Sequence, residues 1–239
     1  MIYKTWGQIR AKVERELDIE VEEFIQPEEF VEYVNDGVAL CEAQIHDLGL
    51  EDLYFRTRFP VPLTQGVEDY SLPSPIYMNK ILSFIYSYNN TIYEILQLRG
   101  PQMYENIARI NQYNSVTDYY RYLIRNDSAA NGVKIQIVPI SRETNATAAT
   151  LWFIREAAKW NFTTDQAGVS FCDLPQIALQ FLYQYVKYRC YEKEGHANMD
   201  SAKSDLERIQ AAMISMMENM VPDNNNELIK DLSSYQDMS

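Results

Sequence analysis

At 239 residues, 46% hydrophobic and 23% charged, the chain can bury a sizeable core in one domain or two and has the composition of an ordinary globular protein. Its formal net charge of −13 is uneven: residues 1–53 hold 4 basic and 14 acidic side chains, residues 54–174 hold 11 and 10, and residues 175–239 hold 6 and 10. That excludes the basic stripe of a nucleic-acid footprint, and no apolar run approaches the ~20 residues that span a bilayer.

The opening MIYKTWGQIRAKVEREL has no apolar signal core and no small-residue cleavage site, so neither secretion nor membrane insertion is expected. Within it, Thr5 is a good N-cap for a first helix whose apolar positions are Trp6, Ile9, Val13 and Leu17. A second helix should start near Pro27, with Glu28 and Glu29 favourable beside the positive end of the dipole. Its inner face is expected to be Phe30, Val31, Val34, Val38, Cys41 and Ile45, with Gly37 weakening it and Gly49 stopping it. The acidity of this region could repel DNA or meet a basic partner; a solvated face is the simpler reading.

The texture then changes. YFRTRFPVPL (54–63) carries two prolines at alternate positions, which permits an edge strand and excludes a central one. GVEDYSLPSP (66–75) is turn-rich. IYMNKILSFIYSY and TIYEILQL, separated by Asn89-Asn90, suggest a hairpin, because Asn tolerates positive φ. MYENIARINQ (103–112) reads as a short helix, and residues 118–126, 133–140 and 150–157 as three further strands. The middle of the chain is thus expected to be a mostly antiparallel sheet, either a small sandwich or an open barrel.

Residues 157–175 look like a connection that crosses back, with Asp173 ahead of Pro175 as the start of a helical hairpin. Ala178, Phe181, Leu182, Tyr185 and Val186 mark one face of its first helix; Ala202, Leu206, Ile209, Met213, Met216, Met217 and Met220 mark its second. Gly195 ends the first helix, and the short link to Asp200 forces an antiparallel return. Beyond Val221-Pro222 the chain is polar and expected to be flexible, yet Leu228, Ile229, Leu232 and Tyr235 recur at helical steps. That pattern admits either docking onto a partner or a frayed end. The expected class is α+β: a helical pair (1–53), a β-rich insert (54–174), a C-terminal hairpin packing with the first pair (175–221) and a tail (222–239).

Catalytic chemistry finds little support. There is no P-loop, dinucleotide fingerprint or nucleophile elbow, and 8 glycines leave little material for phosphate loops. Cys41, Cys172 and Cys190 are odd in number and widely spaced, which fits a reducing compartment better than a disulfide framework. Cys41 with His46 and Cys190 with His196 invite a zinc reading, but the spacing is not that of a finger, and buried thiols are the stronger reading. Cys172 is read as a small buried hydrophobe rather than a nucleophile. Glu22, Glu23, Glu28 and Glu29 are read as solvated surface, although an Asp/Glu pair acting on a glycosidic bond is compatible with the composition. The Met cluster at 213–220 fits core packing better than a promiscuous binding face. No catalytic residue, metal site or cofactor is expected. The 18 tyrosines suit surfaces that are apolar yet wettable.

Taken together, TWGQIRAKVERELDIE near the start, DYSLPSPIYMNKI and YYRYLI…VKIQIVPI in the middle, and QYVKYRCYEKEGHANMDSAKSDLERIQAAM toward the end resemble the adaptor, or head–tail connector, proteins of short-tailed bacteriophages. The resemblance implies a structural virion protein at the portal vertex, present in the host cytoplasm during assembly. It further implies a ring, commonly of twelve copies, that joins the portal protein to the next tail component, a tube or nozzle. DNA would pass through its channel without sequence-specific binding, and no membrane is involved. By location, Leu228, Ile229, Leu232 and Tyr235 would be the portal-binding anchors. Two rival readings are a virion-borne cell-wall hydrolase and a helical interaction module unrelated to phages.

Overall fold

A computed structural model describes residues 4–17, 25–72, 76–88, 91–98, 120–127, 132–138, 140–141 and 144–220. The chain divides into two units, one of Met1–Leu50 with Ala157–Ser239 and one of Glu51–Glu156. Helices dominate the first and strands the second, so the protein is α+β.

In the helical unit, a short strand β1 (Lys4–Thr5) runs into α1 (Trp6–Glu16). Thr5 caps it through a full capping box: its Oγ1 accepts from Gln8 N at 3.2 Å, and Gln8 Oε1 accepts from Thr5 N at 3.3 Å. The anticipated face is inside, with Trp6, Ile9, Val13 and Leu17 all buried. α2 (Pro27–Asp47) begins at its proline and buries all six expected inner residues. Gly49, at φ +69, lets the chain turn away beyond it.

β10 (Phe171–Cys172) pairs antiparallel with β1, tying the return of the chain to the start of α1. α4 (Gln176–Glu194) and α5 (Met199–Glu218) then form the hairpin. Gly195 closes α4 in the left-handed region (φ 68, ψ 32), and His196 N donates to Tyr191 O at 3.0 Å. Gln184 Nε2 donates to Ala202 O at 3.0 Å, which fixes the antiparallel register of the two helices.

Three expectations here need correction. Asp173 does not cap α4: Pro175 occupies the cap in an extended conformation with no side-chain bond. Asp173 instead accepts from Ala158 N at 3.0 Å, bracing the connection. On α5 only Ala202, Met213 and Met217 are buried; Leu206 and Ile209 are partly covered, and Met216 and Met220 are exposed. A helix packed on one side alone needs only a narrow stripe. Gly37 does more than weaken α2, since a Cβ there would lie 2.6 Å from Leu182 Cδ1 and 2.9 Å from Tyr185 Cδ1. Its bare backbone is what lets α2 and α4 approach.

The second unit opens with a helical turn, α3 (Glu51–Tyr54), and then β2 (Arg56–Leu63), β3 (Asp69–Ser71), β4 (Ile76–Tyr88), β5 (Thr91–Glu94), β6 (Leu96–Gln97), β7 (Arg121–Asp127), β8 (Gly132–Val138) and β9 (Asn145–Arg155). One sheet has the order β2-β9-β4-β5 and the other β3-β8-β7-β6. β2, with Pro60 and Pro62, lies at an edge as its prolines require. β4 and β5 form the hairpin anticipated around Asn89-Asn90. The turn-rich stretch 66–75 contains a strand, β3, that the turn signals masked. Among the described residues all pairings are antiparallel except β6 with β7. The short helix expected at 103–112 lies outside the described residues.

The two sheets share one core, which decides for the sandwich. Val61, Phe84, Leu151 and Phe153 from one sheet meet Tyr122, Ile135 and Ile137 from the other. Phe84 packs edge-on to Tyr122 at 5.6 Å between ring centroids, and Tyr86 to Tyr120 at 5.1 Å. β4 is irregular near its start: Met78 (φ 45) and Asn79 (φ 58) are left-handed where the register shifts, and Met78 is 81% exposed.

Candidate functional site

The C-terminal hairpin is fixed in the helical unit through α4, which packs on α2 and α1. α4 is clamped to α2 by packing and by polar contacts. Leu182 and Tyr185 fill the space above Gly37, and the Cys41 thiol lies 3.8 Å from Ala178 O as a weak donor. Toward the other end of α4, the Arg189 guanidinium stacks over Tyr33 at 5.1 Å, and Lys193 donates to Glu29. Tyr33 Oη also donates to Glu29, at 2.7 Å. The Lys193 bond, ahead of the Tyr33 bond, holds the Glu29 carboxyl below its ordinary range. Burial, and then the bond to Glu29, pushes the Tyr33 phenol upward.

α1 adds a second brace, with Lys12 Nζ 3.8 Å above the Tyr183 ring. Trp6 stacks with Trp160 at 6.2 Å and 4°, and Trp160 Nε1 donates to Asp165 O at 2.7 Å. Asp165 in turn accepts from Val169 N and Ser170 N, each at 2.8 Å. Those bonds, led by the one from the Ser170 hydroxyl, lower its pKa. The loop so held presents Val169 and Phe171 to solvent.

On its open side the hairpin carries a shallow groove. Ile177 and Gln180 of α4 face Arg208, Ile209, Met213 and Met216 of α5 across it, and Met216 is 55% exposed. The Met cluster is therefore divided: Met213 and Met217 pack in the core, while Met216 and Met220 remain at the surface. α5 ends directly before the segment that contains Leu228, Ile229, Leu232 and Tyr235, and those four residues lie outside the described residues.

The cysteines are buried thiols. All three are free; burial pushes Cys172 and Cys190 up to about 12 and raises Cys41 as well. A thiol so desolvated is held in its protonated form at neutral pH, as a buried packing cysteine is. His196 stacks on Tyr191 at 4.6 Å and its Nδ1 accepts from Asn198 N at 3.1 Å, a turn-stabilising role. Glu22 and Glu23 lie outside the described residues; Glu28 is exposed.

Sequence reading missed two side chains that shape this unit. Glu42 is buried on α2 and accepts from Ala157 N at 2.7 Å. Asn35 bonds both backbone groups of Trp160. A polar residue beside an apolar helical stripe reads as surface, and nothing local announces a backbone more than 100 residues away.

Among families, a model described as SU10 adaptor protein matches residues 4–227. No curated protein matches the chain.

Proposed function

The chain belongs to the SU10 adaptor protein family, and from that membership we propose that it is a structural component of a bacteriophage virion that mounts on the portal as a ring and carries the next tail component. Copies are arranged head to tail around the DNA channel, twelve in number, and DNA passes without sequence-specific contact. The family match over residues 4–227 is the observation that carries this reading. The protein serves through its surfaces rather than through catalysis.

The helical unit supplies the rigid part of such a subunit. Its α2–α4 packing is fixed at both ends, and the hairpin leads directly to residues 222–239. That segment is the portal clamp, with Leu228, Ile229, Leu232 and Tyr235 as anchors. Four apolar side chains at helical steps give the segment one apolar face with enough area to hold one partner groove, and repetition around a ring multiplies a modest affinity per copy.

Co-expression with the portal protein, affinity purification and electron microscopy test the reading. The expected result is a portal capped by a coaxial ring of this protein. Absence of the protein from portal assemblies in every condition overturns it.

A further inference from the structure

The outer face of the β2-β9-β4-β5 sheet points away from the sandwich core; it is covered at Ile154, which is buried, and open at Arg56 and Arg58. Val61 and Leu63 of β2 point inward with Leu151 and Phe153 of β9, so Arg56, Arg58 and Pro60 point outward. In register with them stand Ile154, Trp152 and Thr150, and beyond Trp152 lies Ser83 of β4. Arg56 and Arg58 are exposed. Arg56 sits 5.9 Å from the Trp152 ring centroid, and neither arginine makes an ion pair among the described residues. Two unpaired arginines flanking a half-buried tryptophan form a surface built for an acidic partner.

The same chain carries a surface of the opposite kind. α2 holds six acidic residues and neither lysine nor arginine. Glu29 and Glu42 are taken up by Lys193 and Ala157 N. The other four, Glu28, Glu32, Asp36 and Asp47, are exposed and form no ion pair among the described residues. Glu28, Glu32 and Asp36 follow at four-residue steps, where like charges repel, and Leu40 continues the line at 48% exposed. The helix thus presents acids ending on an apolar residue; the sheet presents arginines beside an aromatic one.

We propose that the Arg56/Arg58/Trp152 face of one copy receives the Glu28/Glu32/Asp36/Leu40 stripe of a second copy. This rests on the ring reading and names the surfaces by which neighbours meet. The contact is heterologous, two different patches meeting head to tail, which is the arrangement that closes a ring. Charge steers the encounter and sets the register, and Leu40 against Trp152 supplies the desolvated centre. The net acidity of the helices is then part of an interface as well as a solvating surface.

Paired charge reversals test it. Protein carrying Arg56→Glu with Arg58→Glu, and protein carrying Glu32→Lys with Asp36→Lys, should each lose ring formation on the portal by about tenfold or more, as truncated charge pairs in interfaces do. Mixed in equal amounts, the two should restore it, because an alternating ring brings every acidic patch to a basic one. Restoration also shows that both variants fold. Each variant assembling like the unaltered protein, or a mixture no better than its parts, overturns the contact while leaving the ring intact. If the unaltered protein forms no ring, the ring reading and this contact fall together. If the arginine reversal spares assembly but abolishes retention of duplex DNA, the face belongs to nucleic acid and the proposal is wrong.

Discussion

Asn35 holds Trp160 by both of its backbone groups: its Nδ2 donates to Trp160 O at 2.9 Å, and its Oδ1 accepts from Trp160 N at 2.8 Å. One carboxamide on α2 thereby substitutes for a strand partner and fixes the chain as it re-enters the helical unit. Trp160 is buried and stacks on Trp6, so the pair locates α1 as well.

Asn35→Leu should therefore cost about 2–4 kcal/mol, since two backbone groups lose their partner at about 1–3 kcal/mol each and some water access remains. Asn35→Asp keeps one acceptor and should cost less. Urea unfolding followed by tryptophan fluorescence reads both; equal stability of all three proteins would show that the bonds are replaced by water.

Gly37→Ala sets two effects against each other. Helix propensity favours alanine by about 1 kcal/mol. The new Cβ would lie 2.6 Å from Cδ1 of the fully buried Leu182 and 2.9 Å from Cδ1 of Tyr185, so both side chains must shift, and overpacking typically costs about 1–3 kcal/mol. The clash should win, lowering Tm by a few degrees, and the same substitution made in a Leu182→Ala background should lower Tm less than it does in the unaltered protein. A rise in Tm for the single variant contradicts the close approach of α2 and α4.

The Glu29–Lys193 pair gives a pH dependence of defined sign. The folded pKa of Glu29 lies below its ordinary value, so its contribution is present above the usual carboxylate range and is lost as pH falls through the folded pKa. Both side chains are partly exposed, so the effect near neutrality should stay within about 1 kcal/mol. Denaturation midpoints at pH 7 and at pH 3 should differ less for Glu29→Gln than for the unaltered protein. An unchanged difference would remove this pair from the acid response.

Cys41, Cys172 and Cys190 should resist iodoacetamide in the native protein at pH 8 and react once denaturant is added, because burial raises all three thiols. Mass spectrometry counts the adducts. Rapid labelling of any of the three in the folded protein would contradict its burial.

The periodic elements were legible because each carries its own local cause. Thr5, Pro27, the prolines of β2 and Gly195 all act within a few residues, and each does what its chemistry dictates. Strand β3 was not legible, since three residues amid turn signals carry no period to detect. The partners of Asn35, Glu42 and Asp173 were not legible either, because a side chain's choice of a distant backbone group leaves no trace in spacing. Of the candidate site, the apolar faces of the hairpin were readable, but the division of its methionines was not. Which of them face the core depends on where α4 lies, and sequence fixes only the stripe.

Deleting residues 222–239 should leave stability within experimental error while reducing portal attachment, and Leu232→Asp with Tyr235→Asp should imitate the deletion. Loss of soluble expression on deletion would mean that the segment belongs to the fold instead.

The most direct test of the central claim is a reconstruction of the portal vertex from assembled particles. The expected result is a closed ring under the portal into which the helical unit and the sandwich each fit, repeated once per copy around the DNA channel. A vertex in which portal and tail meet with no density for this chain between them would contradict the account.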